Sequence, residues 1–350
     1  MTKISVIIPC YNVEKYIAQC LDTTLDQTIK DIEVICVDDK STDNTLSIIN
    51  DYSKKDKRVK VIAKDKNEGA GKSRNKGIDT AKGEYVVFMD PDDYYPEEQT
   101  LEKLYCAVSK NSVNIAGGNI EGLNPDGTKV ANVGMNCYKN NELCYYKDNQ
   151  FCYGYTRFIY NREFLVKNEI YFPDYLRFQD PPFFVKAMAL AQKYYSIADT
   201  VYVYRISHKT ITWNERRSTD VLKGINNVLD LCRLHDLKVL YLKLMDLICC
   251  DIHVSIYKTN AGSKQVDDAL KQLLLSIDFN MLPPKYKFPY SEEYNEFIIN
   301  DKILNDKFNG RLMDAPWKYK LYYKYKAPYG ERRIYILGFH IFSYKKHRKG

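Results

Sequence analysis

Four apolar runs recur at a nearly constant spacing along the first ninety residues, and this spacing limits the possible folds more than any other feature. The runs lie at residues 4–9, 32–37, 59–63 and 84–89, so their starts are 28, 27 and 25 residues apart. Short runs in which most residues are apolar, with no strict alternation of apolar and polar residues, are typical of strands buried on both faces. Because amphipathic segments separate them, the spacing fits right-handed βαβ units. The sequence therefore predicts an α/β fold with a mostly parallel sheet flanked by helices.

The chain has 350 residues, enough for two domains and a separate terminal segment. From Thr219 the pattern becomes helical, so we predict a first domain over residues 1–215 and a smaller helical domain over 216–316. Residues 317–350 form a basic, aromatic tail with ten Lys and Arg against one acid, a charge of +9. The other 316 residues carry 42 bases and 44 acids. The basicity of the chain therefore belongs to its tail.

No export signal precedes the first strand, and the sequence has no run of 18 uncharged apolar residues. The ten Cys lack CxxC spacing, which favours reduced thiols over disulfides or zinc. We therefore expect a cytoplasmic protein. The cationic, aromatic tail suits an anionic membrane surface, which would make the protein peripheral at the inner face of the cell membrane. The composition of the tail is equally consistent with a segment that is only solvated. No nucleic-acid partner is expected.

Polar or aromatic side chains follow each of the four predicted strands. Because ligands bind outside the carboxyl ends of parallel strands, groups in these positions converge on one edge of the sheet. In strand order, the groups are Pro9 and Tyr11, then Asp38 and Asp39, then the polar loop 64–72, then Asp90, Asp92 and Asp93. Polar residues are expected in any loop, so no single cluster indicates a site. A binding site is favoured because all four clusters lie at the same edge of the sheet.

The segment Asp90-Pro91-Asp92-Asp93 is the strongest chemical signal of the four. Carboxylates at the end of a buried strand are hard oxygen ligands, which suit Mg²⁺ or Mn²⁺ that also holds substrate phosphates. The alternative is that Asp93 only caps the turn before the next helix. Both interpretations stay open at this point.

The remaining clusters also have two interpretations. Asp38 and Asp39 can accept a hydrogen bond from a nucleotide base or can cap a helix, and Tyr11 can stack on a base or pack. Lys72 and Arg74 lie at the start of a predicted helix, where phosphates bind well, or they form a solvated face. The chain has neither a Walker-type loop nor a GxGxxG motif, so ATPases, kinases and dehydrogenases lack their signatures here.

Taken in order, these stretches resemble the family 2 glycosyltransferases, which have the GT-A fold. The matching segments read ISVIIPCYNVEKYIAQCL, IEVICVDDKSTDNTL, NEGAGKSRNKGID and GEYVVFMDPDD, followed by YTRFIYNREFLVKNEIYFPDYLRFQDPPFFVKAM and VYVYRISHKTIT. The resemblance covers residues 3–213 and implies a nucleotide-binding half over 1–95 and an acceptor half over 96–215.

The resemblance implies a role for each matching residue on the donor side. The implied donor-binding residues are Pro9, Tyr11, Asp39, Lys72, Arg74, Asp90, Arg205 and His208. Among them, Asp39 would contact the base. Asp90 and Asp92 form the DxD pair, with Asp92 as the metal ligand for Mn²⁺ or Mg²⁺.

On the acceptor side the resemblance implies Asp180 as the catalytic base, with Gln179 and Tyr155 as weaker acceptor contacts. The family usually has Glu-Asp where this chain has Gln179-Asp180, so the departure concerns the residue before the base. Pro181 disfavours a helical conformation at Asp180 and favours a helix start behind it, which predicts Asp180 as an N-cap.

The implied function is an inverting, non-processive transfer of a sugar from a nucleotide-sugar, expected to be a UDP-sugar, to a hydroxyl of a glycan or lipid-linked saccharide. A bacterial surface-glycan pathway, such as that of capsule or lipopolysaccharide, is the expected setting. The absence of a Gln-x-x-Arg-Trp motif argues against a processive synthase. The helical domain would complete the acceptor site, form a homodimer or only stabilise the fold. Two alternatives stay open, a sugar-1-phosphate nucleotidyltransferase and an inactive nucleotide- or glycan-binding protein.

Overall fold

A computed structural model describes residues 2–131, 133–206, 212–248, 260, 262–287 and 298–312, together with the backbone of three short strands between residues 322 and 345. His208 lies outside the described residues, as does much of the basic tail.

The elements alternate between strand and helix through the first half of the chain. The strands are β1 (Ile4–Cys10), β2 (Ile32–Asp38), β3 (Val59–Ala63), β4 (Tyr85–Phe88), β5 (Ile115–Leu123), β6 (Lys129–Ala131), β7 (Glu142–Tyr145), β8 (Phe158–Asn161), β9 (Lys193–Arg205), β10 (Tyr322–Lys326), β11 (Glu331–Ile336) and β12 (Phe339–Lys345). The helices are α1 (Ile17–Leu25), α2 (Thr45–Lys55), α3 (Ala70–Thr80), α4 (Thr100–Lys110), α5 (Arg162–Lys167), α6 (Asp180–Ala191), α7 (Glu215–Leu234), α8 (Lys238–Asp246), α9 (Lys264–Ser276) and α10 (Lys302–Phe308).

In the described part of the chain, β1 to β9 form a single sheet in the order β3-β2-β1-β4-β8-β5-β9-β7, with β6 paired to β5. The half built from β3, β2, β1 and β4 is parallel, as the spacing of the apolar runs predicts. Beyond β4 the sheet is mixed, because β8 is antiparallel to both β4 and β5, whereas β5 and β9 are parallel. The fold is therefore α/β, with the parallel half at its beginning and the mixed half built by residues after 110.

Both faces of the sheet are buried. Along β1, Ile7 belongs to one described core cluster, whereas Val6 and Ile8 belong to the other. Helix α3 lies so close to this strand that a Cβ on Gly77 would come within 2.3 Å of the Ile7 side chain. A larger residue at position 77 would push α3 away from the sheet, so this glycine sets the position of the helix that carries Arg74.

The helices after residue 214 continue the core of the sheet. Buried side chains of α7, α8 and α9, such as Leu229, Tyr241 and Leu273, belong to the same described cluster as Ile7 and Phe88. Among the described residues, no helix is both long and apolar enough to cross a membrane. Strands β10, β11 and β12 pair antiparallel in a separate small sheet within the basic tail.

A buried carboxylate, Glu33, joins the first parallel strands to one another. The side chain is 4% exposed on β2. It accepts hydrogen bonds from the Ser5 hydroxyl at 2.5 Å, from the Lys82 amide at 2.6 Å, from the Gly83 amide at 3.2 Å and from the Lys60 ammonium. Burial alone would raise the pKa of the Glu33 carboxyl, but these donors, with Lys60 foremost, outweigh it and lower the pKa below its ordinary value.

We therefore predict that Glu33→Gln lowers the free energy of unfolding by about 2 kcal/mol at neutral pH, because an amide cannot accept from all four donors. A lowered folded-state pKa stabilises above the unfolded pKa of about 4.3, and the contribution disappears as the pH falls through the folded pKa. Urea unfolding of both proteins between about pH 7 and about pH 2 measures this loss, since the difference between their free energies of unfolding should shrink only below about pH 4.3.

The matched control is Glu121→Gln, since within the described residues Glu121 forms its ion pair with Lys129, whose side chain is half exposed. This control is expected to cost less than about 0.5 kcal/mol. Equal losses in the two variants would contradict the structural role of Glu33.

Candidate active site

The chain after β4 forms a tight turn of acidic residues, Asp90–Asp93, called the acidic turn below. The amide of Asp93 donates to the carbonyl of Asp90 at 3.0 Å, which closes the turn. Pro91 occupies the second position, where its fixed φ favours a turn and its missing N–H leaves no donor unpaired. The sequence thus provides both the end of β4 and the turn that presents its carboxylates.

A buried guanidinium holds the first of these carboxylates. Arg74 is 5% exposed on α3, and its Nη2 lies 2.7 Å from Asp90 Oδ1. The hydroxyl of Tyr155 donates to the same oxygen at 3.1 Å, and the guanidinium lies over the rings of Tyr155 and Phe172 at 5.1 and 5.3 Å. Burial opposes the charge of Arg74, but nearby Tyr155, Asp90 and Asp180 outweigh it and raise its pKa. The Nε and Nη1 atoms are buried and find no partner among the described residues, so this cation retains donors for a ligand.

Asp180 is the first residue of α6, immediately before Pro181. The N-cap position belongs to Gln179 and not to Asp180 as predicted, because Pro181 and Pro182 are both accommodated in the first turn of the helix. The Asp180 side chain is half-buried. Burial raises the pKa of its carboxyl above the ordinary range, and the positive charge of Arg74 partly opposes this. Raised pKa values of this kind are frequent among catalytic acids and bases.

The backbone just before Asp180 is strained. Phe178 has φ +64°, in the left-handed region that a bulky residue rarely adopts. Its neighbour on α7 is Gly224, where a Cβ would come within 2.8 Å of the Phe178 ring. Glycine at position 224 therefore makes room for Phe178. Strain of this kind persists only where the surroundings enforce it, and it is frequent at active sites.

Asp38, the last residue of β2, and Asp39, which follows it, both accept hydrogen bonds from other groups of the chain. Asp39 is 3% exposed, and its oxygens accept from the Lys64 ammonium at 2.6 Å, from the Glu68 amide at 3.0 Å and from the Gly69 amide at 2.7 Å. Asp38 accepts only from the Ser41 amide, and its Oδ1 is buried without a partner in the described part of the chain. In this structure Asp39 holds the loop that leads into α3.

The other predicted donor residues surround the same edge. Pro9 lies near the end of β1, and Tyr11 directly after it is 46% exposed, which leaves its ring open to a flat ligand. Lys72 at the start of α3 forms ion pairs with Asp174 at 2.9 Å and with Glu68 at 3.8 Å. The α3 start lies against the segment before Asp180, since a Cβ at Gly71 would come within 3.3 Å of Gln179 Cγ and 3.2 Å of the Pro173 carbonyl.

Arg205 reaches the acidic turn through its backbone. Its amide donates to Asp93 at 2.8 Å, whereas its guanidinium lies over the rings of Tyr16 and Tyr94 and donates to Gln19. His208, predicted beside it, is outside the described residues.

The carboxylates of the acidic turn suit a divalent cation whose remaining ligands come from substrate phosphates. Asp92 is 6% exposed between Asp90 and Asp93. Burial, together with the charges of Asp90 and Asp92, raises the pKa of the Asp93 carboxyl above its ordinary value. The described residues contain no group of three metal-binding side chains, and Mg²⁺ commonly takes only one or two carboxylates together with water and phosphate. Asp92, with Asp90 beside it, would hold such an ion.

Sequence reasoning missed Tyr202 on β9. This side chain is 1% exposed, and its hydroxyl lies 3.1 Å from the Asp90 amide and 2.8 Å from Asp93 Oδ2. Strict alternation would place Tyr202 on the same face as Tyr204, which is 41% exposed, so the local pattern gives no signal for a buried Tyr202. The bridge between Tyr94 and Val203 brings β9 beside the acidic turn, although β8 and β5 lie between β4 and β9 in the sheet.

Known proteins with similar sequences and structures are glycosyltransferases. Over 208 residues the chain is 37% identical to the poly(ribitol-phosphate) beta-glucosyltransferase of Bacillus spizizenii, a match covering 58% of this chain and 32% of that protein. It is 29% identical to glycosyltransferase GlyG of Streptococcus pneumoniae over 87% of this chain and 96% of GlyG. The chain thus spans about a third of the first relative and nearly all of the second.

The fold is similar to that of TarS from Staphylococcus aureus. The crystal structure of TarS residues 1–349 in complex with UDP-GlcNAc matches with a TM-score of 0.65 at 24% identity, over 80% of this chain and 82% of that one. Residues 5–169 match the family model described as Glycosyl transferase family 2. This segment contains β1 to β4, the acidic turn, Arg74 and Tyr155. Residues 5–169 therefore form a domain of glycosyl transferase family 2.

Proposed function

We propose that the protein transfers a sugar from a UDP-sugar to a hydroxyl group of a glycan, with inversion at the anomeric carbon and one sugar added per encounter. The observation that carries the proposal is the joint placement of Arg74, Asp90 and Asp180, three buried or half-buried charges that influence one another at the sheet edge. The UDP-GlcNAc complex of the similar TarS supports the choice of donor. The poly(ribitol-phosphate) named for the Bacillus relative supports a glycan-type acceptor.

In the proposed reaction Asp180 removes the proton from the acceptor hydroxyl. The oxygen attacks the anomeric carbon from the face opposite the nucleotide, and the bond to the diphosphate breaks. A general base must be ionised near neutral pH and must not be locked in a salt bridge. Asp180 meets the second condition, because the Arg74 guanidinium forms its ion pair with Asp90.

The donor side neutralises the leaving diphosphate. Arg74 has buried donors left over after its pairing with Asp90, and Lys72 adds a second cation at the start of α3. Tyr11 offers an exposed ring for the base, and Pro9 lies two residues before it in the chain. Asp92 and Asp90 would hold Mn²⁺ or Mg²⁺, which when bound stabilises the negative charge that develops on the diphosphate. Gln179 and Tyr155 would contribute on the acceptor side.

The experiment that tests the proposal measures nucleotide release from UDP-, GDP- and CMP-sugars with Mn²⁺, Mg²⁺ or EDTA, for the wild type and Asp92→Asn. We expect turnover of one UDP-sugar that requires the divalent ion and falls at least about 100-fold in the variant, since the variant loses an anionic ligand. Nucleotide binding by calorimetry without turnover of any donor would favour a binding protein. Release of diphosphate from a nucleoside triphosphate and a sugar phosphate would favour a nucleotidyltransferase.

Asp180→Asn is expected to lower kcat by about 10²- to 10⁴-fold while UDP affinity stays within about twofold, because the amide fills the same space but accepts no proton. Burial raises the Asp180 pKa, so its ionised form lowers the stability of the fold at pH 7, and the neutral variant should have an equal or higher Tm.

The control for that variant is Asp79→Asn. Asp79 lies on α3, and in the part of the chain that the structure describes it accepts an exposed hydrogen bond from the Tyr171 hydroxyl. It should retain wild-type turnover. A fully active Asp180→Asn protein would remove Asp180 from the mechanism.

The pH dependence of kcat/KM should show an acidic limb with its midpoint above the ordinary Asp value of about 3.9. The base acts when deprotonated, and its raised pKa means that activity falls at a higher pH than for an exposed carboxylate. Rates of wild type and of the residual activity of Asp180→Asn between pH 4.5 and about pH 8 measure this. The limb should vanish in the variant, and an unchanged limb would assign it to another group.

A further inference from the structure

The backbone N–H of Asp90, at the start of the acidic turn, forms its hydrogen bond with a side chain of another strand, β9. β4 ends at Phe88, so the Asp90 N–H has no ladder partner on β1 or β8. It donates instead to the hydroxyl oxygen of Tyr202 at 3.1 Å. A buried amide without a partner is costly, so this contact fixes where the turn begins.

The same hydroxyl also fixes where the turn ends. Its proton is donated to Asp93 Oδ2 at 2.8 Å, and Asp93 Oδ1 accepts the Arg205 amide at 2.8 Å. Both oxygens of Asp93 are therefore bound to β9. Because one hydroxyl accepts from residue 90 and donates to residue 93, the distance between the two ends of the turn is determined by a single side chain.

The Tyr202 ring cannot follow a shift of the turn. It is 1% exposed and belongs to the core cluster that contains Val6, Val87 and Ile159. A backbone bridge between Tyr94 and Val203 joins the next residues of the two segments, with amide to carbonyl distances of 3.4 and 3.0 Å. The acidic turn is thus clamped to a strand that begins more than a hundred residues later.

We propose that Tyr202 is a positioning residue, whose hydroxyl holds Asp90 and Asp92 in the arrangement that binds the diphosphate of the donor and its divalent ion. This inference rests on the proposed function of the acidic turn. Asp92 lies between the two clamped residues, and Asp90 Oδ1 meets Arg74 at 2.7 Å only if its backbone stays in place. Partners that orient metal-binding carboxylates commonly change affinity by about 10- to 100-fold when they are removed.

The test compares Tyr202→Phe with Tyr146→Phe. Tyr146 is also 1% exposed, and its hydroxyl donates to the Phe151 carbonyl at 2.6 Å in the core, with no contact to the acidic turn. Each variant loses one buried hydroxyl, and the fall in Tm should be larger for Tyr202→Phe, which loses two hydrogen bonds where Tyr146→Phe loses one. The affinity for UDP in the presence of Mn²⁺, measured by calorimetry, should fall about 10-fold or more only in Tyr202→Phe.

Three outcomes separate this inference from the proposed function. Wild-type turnover with unchanged UDP–Mn²⁺ affinity in Tyr202→Phe, or with an equal loss in Tyr146→Phe, overturns the positioning role alone. A wild type that transfers no sugar but binds UDP–Mn²⁺ more tightly than Tyr202→Phe contradicts the transfer and supports the positioning role. A wild type that binds no nucleotide with either ion overturns both.

Discussion

The ion pair between Arg74 and Asp90 is the interaction on which the arrangement of the site depends. Arg74 is only 5% exposed, so its positive charge loses most of its hydration. One oxygen of Asp90 and the faces of the Tyr155 and Phe172 rings stabilise the buried charge. The pair joins α3 to the end of β4, and through Tyr155 it includes the chain just before β8. This charged contact therefore adds to the pairing of β4 with β8 in joining the parallel half of the sheet to the mixed half.

The edge of the sheet is organised by polar side chains that are bound to backbone amides. Asp39 binds two amides of the loop before α3, and Asp93 binds an amide of β9. Because charge-assisted bonds of this kind are short and directional, they fix loops that apolar packing would leave free. Apolar packing fixes the layers themselves, as the close contact between Gly77 and Ile7 illustrates. The left-handed backbone conformation of Phe178 is an unfavourable local feature beside Asp180.

Much of this could be predicted from the sequence. The four apolar runs became β1 to β4, parallel and in the expected part of the sheet, and their polar ends do share one edge. The family was recognised from the order of the motifs, and the family model covers residues 5–169. The position of Asp180 within its helix was predicted one residue early, because two consecutive prolines fit into the first turn of α6. The catalytic and binding roles of the residues stay predictions.

By itself the sequence determined the first four strands, their parallel direction and the chemical types of the residues that follow them, since periodicity and turn chemistry are local properties of a chain. The tertiary structure alone decided which donor meets which acceptor. In the folded protein Asp39 binds an amide of the loop before α3, and one oxygen of Asp38 has no partner in the described residues. The Arg205 guanidinium lies over the rings of Tyr16 and Tyr94. The tertiary structure also brought Tyr202 onto a turn more than a hundred residues earlier. Such contacts depend on strand order and on angstrom-scale distances between segments far apart in the chain, which no local pattern encodes.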